Sequence, residues 1–509
     1  MKGISSSMFI PQTKKTNFFV FIVLLFYLFV AFKSSGYIQP DEHYQIIEFA
    51  NYKLGLLPVD RLAWEFRSEI RSGLQPMICY VLFKLFGYLK VTDGYDLAFL
   101  LRAVTAIFSV IVIRQFIEAY RPCVAKSLQV YFIFLSYLLW FLPYINIRFS
   151  SETWSGLFLM LTLTAIQKYR YQEYKKSYFI IGLLLGISII FRYQSALFVI
   201  GILFWFVFVK KIKIQNFLTI LLAVLLVMAT GLVIDYWLYG KFTFSIYNYF
   251  YVNLIQGVSN KFGTSPFYQY ALYILNAPSI LFGILIIIAF FTLLYYDAKN
   301  LLFWVIIPFI IIHSIIPHKE LRFLFPLVNL SPLLLILSYQ KLYKNIIRIK
   351  LKPTHEKYVI GFIWSLFFVI NIVGLFAIAS TGAGLNETVV TEYIHRNYKE
   401  DKTNLIMNGG INPYVDWVIP KNSYYSSSGL HIDRITTIWQ SDLLEHKKRQ
   451  YKNLLIIYKN DITGPQSLRF MKSIGLIKVY QNIPELTTMI YNFYKPSLNN
   501  SQIFVYEFK

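Results

Sequence analysis

Two charged clusters set among apolar runs carry the chemistry of this chain. The nine residues His318-Lys319-Glu320-Leu321-Arg322-Phe323-Leu324-Phe325-Pro326 lie between the apolar stretches Leu301 to Pro317 and Leu327 to Leu337. Ionisable groups lose hydration at the edge of a bilayer, so two cations, an imidazole and a carboxylate packed together there need a purpose. A polar turn at headgroup depth is one reading, and a site for an anionic lipid headgroup or phosphate is the other. The second cluster, Gln39-Pro40-Asp41-Glu42-His43-Tyr44-Gln45, directly follows the first apolar run. Here Asp41 either caps a helix running from Glu42 to Lys53 or serves as a general base, taking a proton from an acceptor hydroxyl. Neighbouring carboxylates on a helix diverge by about 100°, so Asp41 and Glu42 do not both serve one atom.

Further polar groups follow. Ala63-Trp64-Glu65-Phe66-Arg67 and Ile70-Arg71-Ser72-Gly73-Leu74-Gln75-Pro76 suit sugar stacking and phosphate recognition. They equally suit an interfacial helix with Trp64 at headgroup depth. Arg148 and Arg192, near the ends of apolar runs, have the simple option of snorkelling to the interface. The aromatic stretch from Asp235 to Tyr270 reads by default as an interfacial belt, with carbohydrate binding as the alternative.

Composition says what must hold these groups. Of 509 residues, 56% are hydrophobic, 19% aromatic and only 15% charged, against about 25% charged in soluble proteins. The chain is therefore a multi-span membrane protein. Its net charge of +23 sits in short runs between apolar segments, such as Lys210-Lys211-Ile212-Lys213 and Lys341 to Lys357. That pattern reports orientation and attraction to membrane lipids, not a nucleic-acid partner. Cys79 and Cys123 lack the spacing of a zinc site or a disulfide, and no metal or other cofactor is expected.

The run Asn17 to Phe32 reads as an uncleaved anchor with its N-terminus in the cytoplasm. Candidate spans follow near 97–118, 126–142, 152–168, 178–192, 195–209, 216–238, 273–295, 301–316, 321–340 and 358–380. Counting these from the cytoplasm puts every basic loop on one side, for a total of about eleven. The segment Gln75 to Leu89, with Lys84 in its middle, is taken as interfacial within an external loop, 34–96. From 384 onward the composition turns soluble. A helix over 387–400 and strands at Leu405 to Met407, Leu454 to Tyr458, Leu476 to Tyr480 and Ile503 to Phe508 predict a small α/β domain over 384–509. The expected fold is thus an all-α polytopic membrane module, 1–383, with a small C-terminal α/β domain on the far face. Asn386-Glu387-Thr388 is a glycosylation acceptor if that face is luminal.

Together and in order, these motifs resemble glycosyltransferase family 22, the GT-C class mannosyltransferases that use a polyprenyl-phosphate donor. The likeness rests on Pro40-Asp41-Glu42, Trp64-Glu65 with Arg71-Ser72, Tyr239-Gly240-Lys241-Phe242-Thr243-Phe244, Phe262-Gly263-Thr264-Ser265-Pro266 and His318 to Pro326. Phe242 and Phe267 replace tryptophans of the family pattern, and Arg192 with Ser195-Ala196-Leu197 only loosely follows an Arg-Pro-Thr-Ala element. The resemblance implies mannose transfer from a polyprenyl (dolichyl) phosphate donor to a lipid-linked glycan such as a glycosylphosphatidylinositol precursor. Inversion at the anomeric centre would give an α-mannosidic bond. It implies Asp41 as base with Glu42 in reserve, and His318, Lys319 and Arg322 stabilising the leaving phosphate without a metal. Glu320, Arg71, Trp64 and Arg192 complete the implied substrate site. It implies a multi-pass protein of the endoplasmic reticulum membrane in a eukaryote, or of the inner membrane in a bacterium, with the C-terminus luminal or periplasmic. A lipid-linked oligosaccharide flippase and a non-catalytic membrane subunit are the rival readings.

Overall fold

The computed structural model describes residues 14–171, 174–347, 353–384, 387–398, 402–409, 412–416, 419–420, 430–436, 438, 442–462, 464–494 and 502–509. Asn386 of the expected glycosylation triplet and part of the Lys341 to Lys357 run lie outside them.

Among the described residues, helices dominate from Lys14 to Ser380 and form a bundle. Several helices start where the sequence supplies a polar oxygen for orphan backbone N–H groups. Asp93 accepts from the amides of Tyr95 and Asp96 at the start of Gly94–Tyr120. Ser150 accepts from Thr153 N at the start of Ser151–Lys168, and Asn300 from Leu302 N at the start of Leu301–Ile315. One continuous apolar core joins the first helix, Lys14–Lys33, to the bundle through Tyr27, Val30, Phe116, Leu142, Leu163, Phe198 and Leu333.

Among the described residues, six helices are long and apolar enough to cross a membrane, and Leu74–Tyr88, Ile280–Tyr296 and Leu301–Ile315 are shorter apolar helices. The expected eleven is therefore not reached by length and composition alone. Several expected spans are real helices but broken. The run 126–142 divides into Gln129–Leu138 and Phe141–Asn146, and 321–340 begins as a ten-residue 3-10 segment, Leu321–Leu330, before the helix Ser331–Leu342. Pro326 explains the latter, since it removes a backbone donor within the turn.

Close backbone approach, more than side-chain bulk, brings some helices together, as small residues allow in membranes. At Gly201 in Ala196–Phe204, an added Cβ would lie 1.6 Å from the carbonyl oxygen of Trp304 in Leu301–Ile315.

Beyond residue 384 stands a five-stranded mixed sheet in the order Leu430–Ile435, Thr403–Asn408, Lys452–Tyr458, Ile503–Phe508, Leu476–Gln481. The first three strands are parallel, and Ile503–Phe508 runs antiparallel to both its neighbours. Alternate residues of the central strands feed two cores: Leu405, Met407, Leu454 and Ile456 pack with Val390 and Ile394, whereas Ile406, Leu455 and Ile457 pack with Met471. Four of the five strands fall where the sequence predicts them. Leu430–Ile435 escapes because half of its residues are His, Asp or Arg, which mask the alternation.

This unit is tied to the segment 34–96. Ser35 Oγ donates to Glu392, His395 contacts Asp93, and Arg396 Nη2 lies 2.9 Å from Asp96 Oδ1. The amide of Ala383 donates to Ser35 O at 2.8 Å.

Gly201→Ala should lower the thermal unfolding temperature of the detergent-purified protein, by a loss of about 1–3 kcal/mol as overpacking forces the two backbones apart. An unchanged melting curve would mean that the helices slide without cost.

Candidate active site

Asp41 and the His318 to Pro326 segment, 281 positions away from each other along the chain at Arg322, meet directly. Arg322 Nη1 donates to Asp41 Oδ2 at 2.5 Å. The rest of that guanidinium grips Glu320, with Nε at 2.7 Å from Oε2 and Nη2 at 2.9 Å from Oε1. Arg71 Nη2 approaches the same Asp41 oxygen at 3.5 Å and Glu65 Oε1 at 3.9 Å.

Each group is placed by local structure. The helix expected from Glu42 to Lys53 is present, as a π-helical turn Glu42–Ile47 followed by Glu48–Lys53. Asp41 precedes it but makes no capping hydrogen bond, so its carboxylate is left for Arg322 and Arg71. Glu42 turns elsewhere: its Oε1 accepts from Ile38 N at 3.0 Å. The surrounding protein strips water from the Glu42 carboxyl and pushes its pKa up to about 7, with the Arg148 cation pulling the other way.

Arg148 does not snorkel. It is 1% exposed, and its guanidinium donates to Gly36 O at 2.9 Å and Ser34 O at 3.0 Å. A buried cation must find partners, and here it finds the carbonyls of the chain leading to Asp41. Arg192 is buried as well, at the break between Lys175–Phe191 and Ala196–Phe204. Its Nη1 donates to Glu152 Oε1 at 2.6 Å, and its guanidinium sits 5.0 Å from the Phe323 ring centre. Breaking such a buried pair by removing one partner typically costs about 3–5 kcal/mol.

Arg71 is held by the end of another helix. The Tyr239 hydroxyl donates to Arg71 O at 2.8 Å, and Asp235 Oδ1 accepts from Gly73 N at 2.8 Å. Part of the stretch read as an aromatic belt thus anchors the turn that carries Arg71.

The motif's other cations are spent internally. Lys319 is 6% exposed and donates through Nζ to the carbonyls of Ile316 at 2.7 Å and Ser265 at 2.9 Å; loss of water lowers its pKa from the ordinary lysine value. His318 Nδ1 lies 2.9 Å from Gly263 O and Nε2 lies 3.0 Å from Glu320 Oε1. Two acceptors on one ring require both nitrogens to donate, which is the imidazolium form, and the Glu320 bond raises its pKa accordingly. Partial burial opposes ionisation of Glu320, but the His318 bond and the Arg322 charge overcome it and hold the carboxyl at about 2.

An open cleft runs between these elements, lined by Asp41, Glu42, Gln75, Glu152, Tyr249 and Gln194 with the cations Arg71 and Arg192. Of the sequence-derived candidates, His318, Lys319, Glu320, Arg322 and Trp64 are not among its lining residues. Trp64 instead stacks on Phe262, ring centres 6.0 Å apart. Glu152, Gln194 and Tyr249 were missed by sequence reasoning. Glu152 opens the apolar run 152–168, where an acid is ordinary in a helix's first turn, and only the fold shows its pairing with Arg192. Among the described residues, no group of three or more His, Cys, Asp or Glu side chains is placed to hold a metal ion.

The fold is a bundle of apolar helices carrying a small C-terminal mixed sheet. It is similar over 97% of this chain, and 98% of the other, to ArnT from Cupriavidus metallidurans bound to undecaprenyl phosphate, with a TM-score of 0.52 at 10% identity. Residues 18–410 match the sequence profile of the Alg9-like mannosyltransferase family, and the chain belongs to that family. Among curated relatives it is 27% identical to GPI mannosyltransferase 3 of Candida albicans, over 60% of each chain. It is 29% identical to the protein of the same name from Debaryomyces hansenii, over 65% of this chain and 62% of that one. GPI alpha-1,2-mannosyltransferase 3 of Bos taurus matches at 22% over 57% and 52%. The matched region thus spans 60% of the first of these relatives and 62% of the second.

Because its acidic form is favoured in place, Glu42 should ionise only as the pH is raised through about 7. Its protonated-carboxyl infrared band should fade across that interval and be absent from Glu42→Gln. A band already lost well below neutrality would show an ordinary, water-exposed carboxyl. The sign for stability follows: a carboxyl raised in the folded state favours folding at low pH, and that contribution declines as the pH climbs from the unfolded value through the folded one.

Proposed function

We propose that this protein is an inverting glycosyltransferase that moves mannose from a polyprenyl (dolichyl) phosphate donor to a lipid-linked glycan such as a glycosylphosphatidylinositol precursor. The observation that carries this reading is the convergence of the Asp41-Glu42 pair with Arg71 and Arg192 in one cleft, within a chain of the Alg9-like mannosyltransferase family. The named relatives favour a mannolipid acceptor.

In the proposed reaction, an acceptor hydroxyl oxygen attacks the anomeric carbon of mannose from the face opposite the phosphate. The bond between that carbon and the phosphate oxygen breaks, and the phosphate leaves with the electron pair. The hydroxyl proton passes to a carboxylate of the pair, with Asp41 as first choice. Arg71 and Arg192, the cations on the cleft wall, offset the charge that develops on the departing phosphate. A β-linked donor then yields an α-mannoside.

The charged groups gather in this cleft at the ends of helices. A lipid-carrying path would instead distribute them along the depth of the spans, so transfer chemistry accounts for the arrangement better than translocation does. The relatives' names favour residence in the endoplasmic reticulum membrane; with the basic loops assigned to the cytoplasm, we assign the cleft and the C-terminal sheet to the luminal face and the N-terminus to the cytoplasm.

Purified protein supplied with radiolabelled polyprenyl-phosphate mannose and a lipid extract should transfer label to a glycolipid. Asp41→Asn should lower kcat by about 100-fold or more at unchanged protein yield. Arg71→Gln should raise the donor KM about tenfold, the scale of one charge-assisted hydrogen bond. Lack of any labelled glycolipid from the unaltered protein would defeat the proposed activity, and an unmoved donor KM would take Arg71 out of the phosphate site.

A further inference from the structure

Arg322 is surrounded by more carboxylate than one guanidinium requires. Its Nε and Nη2 are both committed to Glu320, and its Nη1 is shared between Asp41 Oδ2 at 2.5 Å and Glu152 Oε1 at 3.8 Å. A phosphate could reach this cation only by displacing a carboxylate. We infer that Arg322 is a positioning residue whose guanidinium, fixed by Glu320 and Glu152, aims Asp41 at the acceptor, while anion binding falls to Arg71 and Arg192. The inference rests on the proposed transfer reaction and assigns roles within it, including one for Glu152.

Three features make Glu152 a rigid support. It lies in the first turn of Ser151–Lys168, is 4% exposed, and is tethered by Arg192 at 2.6 Å and by the Ser151 hydroxyl at 3.1 Å. The same helix is locked against the motif one turn on: a Cβ at Gly156 would lie 2.8 Å from both Cα and O of Pro326. Just before the helix, Asn146 and Asn329 exchange two amide hydrogen bonds of 2.8 Å each. The height of Arg322 relative to Glu152 is therefore set by backbone contact, not by the ion pair itself.

The remaining geometry fits a brace. His318 ties the outer side of Glu320 to Gly263 O, and Lys319 pins the loop's own carbonyls, so the charged residues of the motif stiffen the segment that presents Arg322. Both guanidinium contacts to Asp41 fall on Oδ2, which leaves Oδ1 as the oxygen to receive the acceptor proton. A side chain with no helix cap to hold it needs such an external restraint if its reactive oxygen is to stay within bonding reach.

The test uses the full-length protein in detergent, with Arg322→Lys, Glu320→Gln and Glu152→Gln. Two readouts are taken: the separate kcat and donor KM, and binding of undecaprenyl phosphate followed by its effect on the thermal unfolding temperature. Arg322→Lys and Glu320→Gln should lose about tenfold or more in kcat while their donor KM and lipid-induced stabilisation stay at the wild-type level; Glu152→Gln, which also releases Arg192, should show the same loss in kcat with a shift in donor KM. If Glu152→Gln does not fold, because Arg192 is left unpaired, Glu320→Gln at the more exposed end of the brace decides. A raised donor KM, or lost stabilisation by the lipid, in Arg322→Lys would place Arg322 on the phosphate and overturn the inference. Unaltered kcat in both Arg322→Lys and Glu320→Gln would also overturn it. Failure of the proposed reaction is read separately, as no transfer by the unaltered protein; the lipid-binding comparison then still judges Arg322.

Discussion

The contact between Asp41 and Arg322 is the constraint around which the membrane module is arranged. It joins the segment after the first helix to one that enters the bundle hundreds of residues later, and each partner is otherwise costly where it stands. A carboxylate and a guanidinium that lose water must recover their solvation from one another and from fixed polar groups. The structure meets that demand in layers: Glu320 and Glu152 around Arg322, Arg71 beside Asp41, Tyr239 and Asp235 beneath the turn of Arg71. The apolar helices supply a low-dielectric frame in which these pairings gain strength.

The buried arginines show two solutions to the same problem. Arg192 is balanced by a carboxylate, Glu152, and becomes part of the cleft wall. Arg148 is held by the carbonyls of Ser34 and Gly36 and by the Ser34 hydroxyl, close enough to Glu42 to pull on that acid. One cation lines the cleft and the other holds the segment that leads to Asp41. Sequence spacing alone does not separate these cases, because both stand at the end of an apolar run.

Much of this was legible in the residues. The length of the apolar runs located most of the helices, and the turn and β-branched signals located four of the five strands. The order of Pro40-Asp41-Glu42, Arg71-Ser72 and His318 to Pro326 marked a joint site, and the structure brings Asp41, Arg71 and Arg322 together. What the sequence concealed was which groups each cation faces. Lys319 reads as a ready phosphate ligand until its donors are found on Ile316 and Ser265 carbonyls, and such carbonyl cages depend on loop path, which local pattern does not encode. Glu152 reads as an ordinary acid in a helix's first turn, since its partners come from two other elements. The helix break at Leu139 was likewise hidden inside a run of uniform hydropathy.

The short link between the first helix and Asp41 has a consequence for biogenesis. Arg148 grips Ser34 and Gly36 from within the bundle, while Ala383 and Glu392 hold Ser35 from the other direction, the latter across 357 positions of sequence. During synthesis this link is made early, yet its last fastening emerges only after every apolar helix of the module has been translated. The ribosome thus releases a chain whose Asp41 cleft is completed last, so a stalled or prematurely inserted fragment would sit in the bilayer with the link to Asp41 still unfastened.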